Sequence, residues 1–138
     1  MQTHILIIES ASDDQLWGRL IFDDNLIIES ASNEDALQKK MKKLLKDFHG
    51  LNPKEIEFDV QYDITRVFEE KNFLNISEIA QRAGINKSLM LQYTSGKKLP
   101  SLDRVREIEK VIRQIGEELI NIKLAAPVKK KPVTHTRG

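Results

Sequence analysis

The chain has 138 residues, with 22 Lys and Arg against 21 Asp and Glu and a hydrophobic share of 40%. That composition describes one ordinary globular domain or two very small ones and excludes a disordered chain. There is no cysteine, which excludes disulfides and thiolate metal sites, and no apolar run approaches the ~18 residues needed to span a bilayer.

The amino terminus, MQTHILIIES, carries no basic residue ahead of its apolar run. It reads as a strand and not as a signal peptide, so a cytoplasmic protein is expected. Residues 4–9 are β-branched and apolar with little alternation, the pattern of a strand covered on both faces. Ser10 to Asp14 supply a polar turn. Leu16 to Phe22 form a second strand, Asp23-Asp24-Asn25 a second turn, and Leu26 to Glu29 a third strand, a meander of two hairpins. The heptapeptide LIIESAS occurs at 6–12 and again at 26–32. The flanks differ, so it reads as two strands meeting similar burial and not as a repeat architecture.

Asn33 to Phe48 has the spacing of an amphipathic helix, with Leu37, Met41, Leu44, Leu45 and Phe48 on one stripe. Ser32 or Asn33 is its candidate cap, and Lys39, Lys40, Lys42, Lys43 and Lys46 form its wet face. Gly50 and Pro53 end it. Ile56, Phe58, Val60 and Tyr62 then alternate with polar residues, as in a strand buried on one face. Asp63 caps a short helix over 64–71 in which Ile64, Val67 and Phe68 face inward, and Phe73 and Leu74 are expected to close the core behind it. Asn75 with Glu78 makes a capping box for the next helix. Gly84 supplies a positive φ where the chain reverses, and Asn86 caps a further helix. Ser101 caps a long last helix whose stripe runs through Leu102, Val105, Ile108, Ile112, Ile115, Leu119 and Ile122. From Pro127 the chain has two prolines, four basic residues and no apolar period, and is expected to be a disordered basic tail.

The fold class expected is therefore α+β: a small β-β-β-α-β antiparallel sheet domain over residues 1–62, then an all-α domain over 63–126, then the tail at 127–138. Charge divides the same way. Residues 1–62 hold 7 Lys and Arg against 12 Asp and Glu, residues 63–126 hold 11 against 9, and the tail adds 4 cations and no acid. Between Ile79 and Leu102 there are four cations, Arg82, Lys87, Lys97 and Lys98, and no acid. A local positive face on a near-neutral protein is the footprint of a sequence-reading nucleic-acid binder.

Two family resemblances rest on these residues. Ala80-x-x-x-Gly84-Ile85-Asn86-x-Ser88, followed by Gly96-Lys97-Lys98-x-Pro100-Ser101, resembles the helix-turn-helix of the phage-repressor (Cro/C1, XRE) class, without a gap over about 27 residues. The resemblance implies that the second helix enters the DNA major groove. Asn86, Lys87, Ser88, Leu89 and Gln92 then lie at the bases, with Leu89 against a thymine methyl, and Lys97 and Lys98 hold phosphates. It departs from that class at Ile76, where a polar phosphate contact is common, and at Thr94, where Glu is common. It also implies a homodimer or tetramer, with Ile115, Leu119 and Ile122 either as the subunit contact or folded back onto the chain's own core.

The first 62 residues, with the acidic turn from Glu9 to Asp14, Trp17, and Ser30-x-Ser32-x-Glu34-Asp35-Ala36 leading into the helix, resemble the amino-terminal domain of HicB-type antitoxins, a degenerate ribonuclease H-like half fold. The Pro-rich loop common after the second strand is replaced by Asp23-Asp24-Asn25. The two-part layout implies an antitoxin and autorepressor whose partners are a double-stranded DNA operator and a small basic HicA-like mRNA-cleaving toxin. The alternative is a stand-alone regulator whose first domain mediates oligomerisation. No membrane association, no cofactor and no catalysis are expected. The acids Glu9, Asp13, Asp14, Asp23, Asp24 and Glu29 fall at turns and strand ends, and His4, His49 and His135 are dispersed.

Overall fold

The computed structural model describes residues 1–9 and 14–128. Most of the turn from Ser10 to Asp14, including the candidate acid Asp13, and the tail from Lys129 onward, with His135, lie outside the described residues. The described residues are mixed α+β, a four-stranded sheet and five helices. The strands are β1 (Gln2–Glu9), β2 (Leu16–Phe22), β3 (Asn25–Ala31) and β4 (Ile56–Tyr62). The helices are α1 (Glu34–His49), α2 (Ile64–Glu70), α3 (Ile76–Ala83), α4 (Lys87–Ser95) and α5 (Leu102–Ile120). A single 3-10 turn, Pro53–Glu55, precedes β4.

Strand order is β3-β2-β1-β4, and the sheet is not the antiparallel one expected from sequence. β1 pairs antiparallel with β2, and β2 with β3, but β4 runs parallel to β1 from Gln2↔Ile56 to Ile8↔Tyr62. The reason is the connection. β3 runs parallel to β1, and α1 carries the chain back before β4 starts, so β4 enters the sheet in the direction of β1. The β2–β3 turn is a two-residue loop in which Asp23 and Asp24 both take positive φ, 48° and 62°. That geometry matches strand twist better than an ordinary turn does.

One face of the sheet receives α1. Leu6, Leu20, Met41, Leu45 and Ile56 form one buried cluster, and Ile8, Ala31 and Leu37 a second. Gly18 lies under the helix; a Cβ there would stand 2.8 Å from Leu37 Cδ2. Asn33 caps α1, its side chain accepting from Ala36 N at 2.8 Å, and Gly50 ends it at φ 67°. The buried row is Leu37, Met41 and Leu45 at i, i+4, and the next position in that row is His49, whose ring meets Phe22 edge-on at 4.8 Å. Phe48, expected on the stripe, is 75% exposed because it is one position off that row.

β1 is covered on one face only. Leu6 and Ile8 are buried while Ile5 is 52% exposed. The heptapeptide repeat is set down in opposite senses: Leu6 and Ile8 point to α1, whereas their counterparts Leu26 and Ile28 are exposed and Ile27 joins the core. A shift of one residue in which set faces inward exchanges the two faces of a strand.

Between Tyr62 and Ile64 stands one residue. Asp63 donates its N–H to Ile8 O at 2.9 Å, and its carboxylate accepts from Thr65 N, capping α2. The second core gathers Phe68, Ile79, Ala80, Ile85, Met90, Tyr93, Ile108 and Val111. Leu74 packs against it as expected, but Phe73 is 72% exposed. On α5 the inward residues are Ile108 and Val111, with Ile112 and Ile115 alongside; Leu102, at the first turn, is exposed. No helix among the described residues is long and apolar enough to cross a membrane.

Leu37→Ala is expected to cost about 2–5 kcal/mol of unfolding free energy in a denaturant titration, because it empties a site with no exposed surface. Phe48→Ser should change it by no more than about 0.5 kcal/mol.

Candidate nucleic-acid interface

Helices α3 and α4 are set by their ends and by the apolar residues they share. Asn75 caps α3 with its side chain accepting from Glu78 N at 3.1 Å. The chain leaves α3 through Gly84 at φ 69°, whose N–H bonds back to Ala80 O and Gln81 O. A side chain at that φ would be strained, so glycine is what allows the reversal. Two residues later Asn86 caps α4, its Oδ1 accepting from Ser88 N at 2.8 Å. Ile79 and Met90 have no exposed surface, and Ala80, Ile85 and Tyr93 are within a few per cent of none. Two buried points on α4, Met90 and Tyr93, fix the rotation of that helix about its axis.

With that rotation fixed, Lys87, Ser88, Leu91, Gln92 and Ser95 are exposed on the outer side of α4. Asn86 is exposed at its entrance, although its side-chain oxygen is committed to the cap. Beyond α4, Gly96 turns at φ 81° and the Lys98 N–H bonds to Gln92 O at 3.1 Å, which folds the Gly96–Lys98 segment against the helix end. Lys97 and Lys98 are therefore exposed next to the outer side of α4.

Leu89 is not among the exposed residues. It is half-buried and packs against the core cluster, while Leu91, which sequence reasoning passed over, is 45% exposed. The helical period carries the signal for this: Leu89 is four residues before Tyr93 and so shares its side of the helix, whereas Leu91, two residues before it, points to the opposite side. Ile76 also has a structural account, since it packs against the core at the start of α3. Thr94 is half-buried and its hydroxyl donates to Leu91 O.

Arg82, one of the four cations in the acid-free stretch, is not available as free positive charge. Its Nε bonds Glu78 at 3.1 Å within α3, and its two terminal nitrogens form a fork on the Glu118 carboxylate of α5. The carboxylates hold the guanidinium above its ordinary value, Glu118 first and Glu78 second. In turn the Arg82 hydrogen bond, with a smaller contribution from its charge, holds the Glu118 carboxyl below the usual range. Lys87, Lys97 and Lys98 are in no ion pair among the described residues. Of the four cations in this stretch, those three are the ones whose charge faces solvent uncompensated.

The lysines of α1 are different in kind. Lys43 pairs with Asp47 at 2.9 Å, Lys40 donates to Ser30 O at 2.8 Å, and Lys42 lies over the Phe58 ring at 5.9 Å. Of the residues proposed for a subunit contact, Ile115 packs against its own core, while Leu119 and Ile122 are more than half exposed. α5 ends at Ile120, so Ile122 lies just past the helix. Ile120 and Leu124 extend the exposed apolar group there. Among the described residues no cluster of three or more His, Asp or Glu could hold a metal ion. Comparison with protein-family models, with curated proteins and with solved structures returns no match.

The Arg82–Glu118 pair gives a pH-dependent link between α3 and α5. Because the folded-state value of Glu118 is depressed, its contribution is present above the ordinary carboxylate value and is lost as pH falls through the lower folded one. A carboxyl-detected NMR titration is expected to show the Glu118 midpoint rising toward the ordinary range in Arg82→Ala.

Proposed function

We propose that this protein is a HicB-type antitoxin and DNA-binding autorepressor. In this reading α3 and α4 are a Cro/C1-type helix-turn-helix, α4 is the recognition helix, and the acidic β-β-β-α-β unit before it binds and neutralises a small basic HicA-like toxin that cleaves mRNA. The observation that carries the DNA half is the outer side of α4. Lys87, Ser88 and Gln92 stand exposed on it, with the uncompensated Lys97 and Lys98 at its end and no acid between Ile79 and Leu102.

The chemistry follows from residue type. Gln92 presents an amide that bonds adenine N6 and N7 together, and Lys87 a donor for guanine O6 and N7. Ser88 bonds either kind of base, and Leu91 supplies the apolar contact to a thymine methyl that sequence reasoning gave to Leu89. Lys97 and Lys98 hold phosphates and so set the register of the helix in the groove without reading sequence. A homodimer joined by the exposed apolar residues at the end of α5, Leu119, Ile120 and Ile122, would read two half-sites a helical turn, about 34 Å, or a multiple apart.

Sequence selection on purified protein tests the reading, followed by titration of the enriched duplex. Gln92→Ala is expected to lose about 1–3 kcal/mol of binding and to relax one base position. Lys98→Ala should weaken all sequences alike and reduce the salt slope by about one. Wild-type binding by both variants would overturn the recognition-helix assignment.

A further inference from the structure

The strand registers arrange the side of the sheet opposite α1 as a grid. One row crosses Leu26, Ile21, Ile5 and Asp59; the next crosses Ile28, Arg19, Ile7 and Gln61. In the first row the three apolar residues are each more than half exposed, and so is Ile28 in the second. Among the described residues no element packs on these four, and α5 borders the β4 edge, where Arg106, Glu109 and Arg113 line a cavity with Asp59 and Gln61. Carboxylates border the block along β4, at Glu57 and Asp59, and the two-residue hairpin at Asp23 and Asp24 closes its lower end. Arg19 is the one cation the strands place on this side, and it is bonded to Glu9. The five lysines of α1 lie beyond the opposite face of the sheet. Glu57, Asp59 and the hairpin acids thus border the apolar face, while Glu34, Asp35 and Asp47 lie on α1 with the five lysines, and Arg106 and Arg113 of α5 stand beside Asp59.

We infer that this open sheet face is the binding surface for a basic protein, one that presents an apolar centre flanked by Lys or Arg. The inference rests on the reading that the first unit receives a basic partner, and it names the face. Charge decides against a second copy of this chain. A twofold axis along the strands sets β4 of one copy over β3 of the other, so Asp59 covers Leu26 and Gln61 covers Ile28. An axis across the strands sets β4 over β4, acid against acid. Both arrangements desolvate carboxylates with no free cation from the sheet itself, since Arg19 is engaged by Glu9. Area points the same way. Three strands of seven residues and one of eight offer only about 450 Å² in plan, short of the ~800 Å² per partner of a standard interface. The occupant must therefore cover the rim as well, and the rim is where the acids are. Cations there would meet Glu57 and Asp59 directly.

The test places a photo-crosslinking amino acid at Ile28 of the full chain and, in a parallel strain, at Lys39 on α1, both expressed in the cells that make the protein. The expected adduct from Ile28 is a protein with excess Lys and Arg, absent from Lys39 and reduced about tenfold or more by Glu57→Lys with Asp59→Lys. An adduct with a second copy, or one indifferent to the charge reversal, overturns the inference. A basic partner joined from Lys39 and not from Ile28 overturns the face and leaves the partner reading standing; no basic partner from either position overturns both. In light scattering of the purified chain, Ile28→Asp should have the mass of wild type. A smaller species for that variant would show that this face joins two copies and would sink the inference.

Discussion

Met90 has no exposed surface, and its burial against Ile79 and Ile108 determines how α4 is presented. A nine-residue helix has little stability of its own, so its orientation comes from packing and from its ends. Met90 and Tyr93 hold one side of α4 in the core, and Asn86 and Gly96 stop it at both ends. The side that remains, with Lys87, Ser88 and Gln92, is outward as a consequence. The proposed recognition surface is thus the complement of a core, and it would turn away from any duplex if that core packed differently.

The first unit depends on the same kind of constraint with the opposite result. One helix covers one face of a four-stranded sheet, and among the described residues the other face leaves Ile5, Ile21, Leu26 and Ile28 exposed. Gly18 lets α1 approach closely, and Leu37, Met41 and Leu45 complete that side. Burial of Leu6 and Ile8 there obliges Ile5 to face outward on the same strand, since the side chains of a strand alternate. An apolar outer face is the cost of a half-covered sheet, and natural sheets rarely leave such a face without a partner. The two units therefore supply two surfaces of unlike character, a basic polar one on α4 and an acid-rimmed apolar one on the sheet. They are joined through a single residue, Asp63, which also ties the end of β4 to Ile8 O.

Much of this was legible in the sequence where a residue's role is local. The caps at Asn33, Asp63, Asn75, Asn86 and Ser101 and the turns at Gly50 and Gly84 are all read from side chains that act within three or four positions. Strand β4 was legible because it alternates. The rest depended on partners distant in sequence. The run His4–Glu9 contains four consecutive apolar residues, so period gives no indication of which pair faces inward, and the identical LII at 26–28 faces the other way. The parallel pairing of β4 is a property of the crossover and not of β4. Arg82 counts among the cations of an acid-free stretch, but it is held by Glu78 one turn before it and by Glu118, 36 residues on. Leu89 and Leu91 differ only in helical phase, which Met90 and Tyr93 set.

The central claim is that the duplex is met by the outer side of α4 and the adjoining lysines, not by the more numerous lysines of α1. Amide chemical-shift perturbation on the full chain with an enriched duplex tests it most directly. The account predicts the largest changes at Lys87, Ser88, Gln92, Lys97 and Lys98, with Lys39 to Lys46 unmoved. Perturbation concentrated on Lys39 to Lys46, with α4 silent, would contradict it.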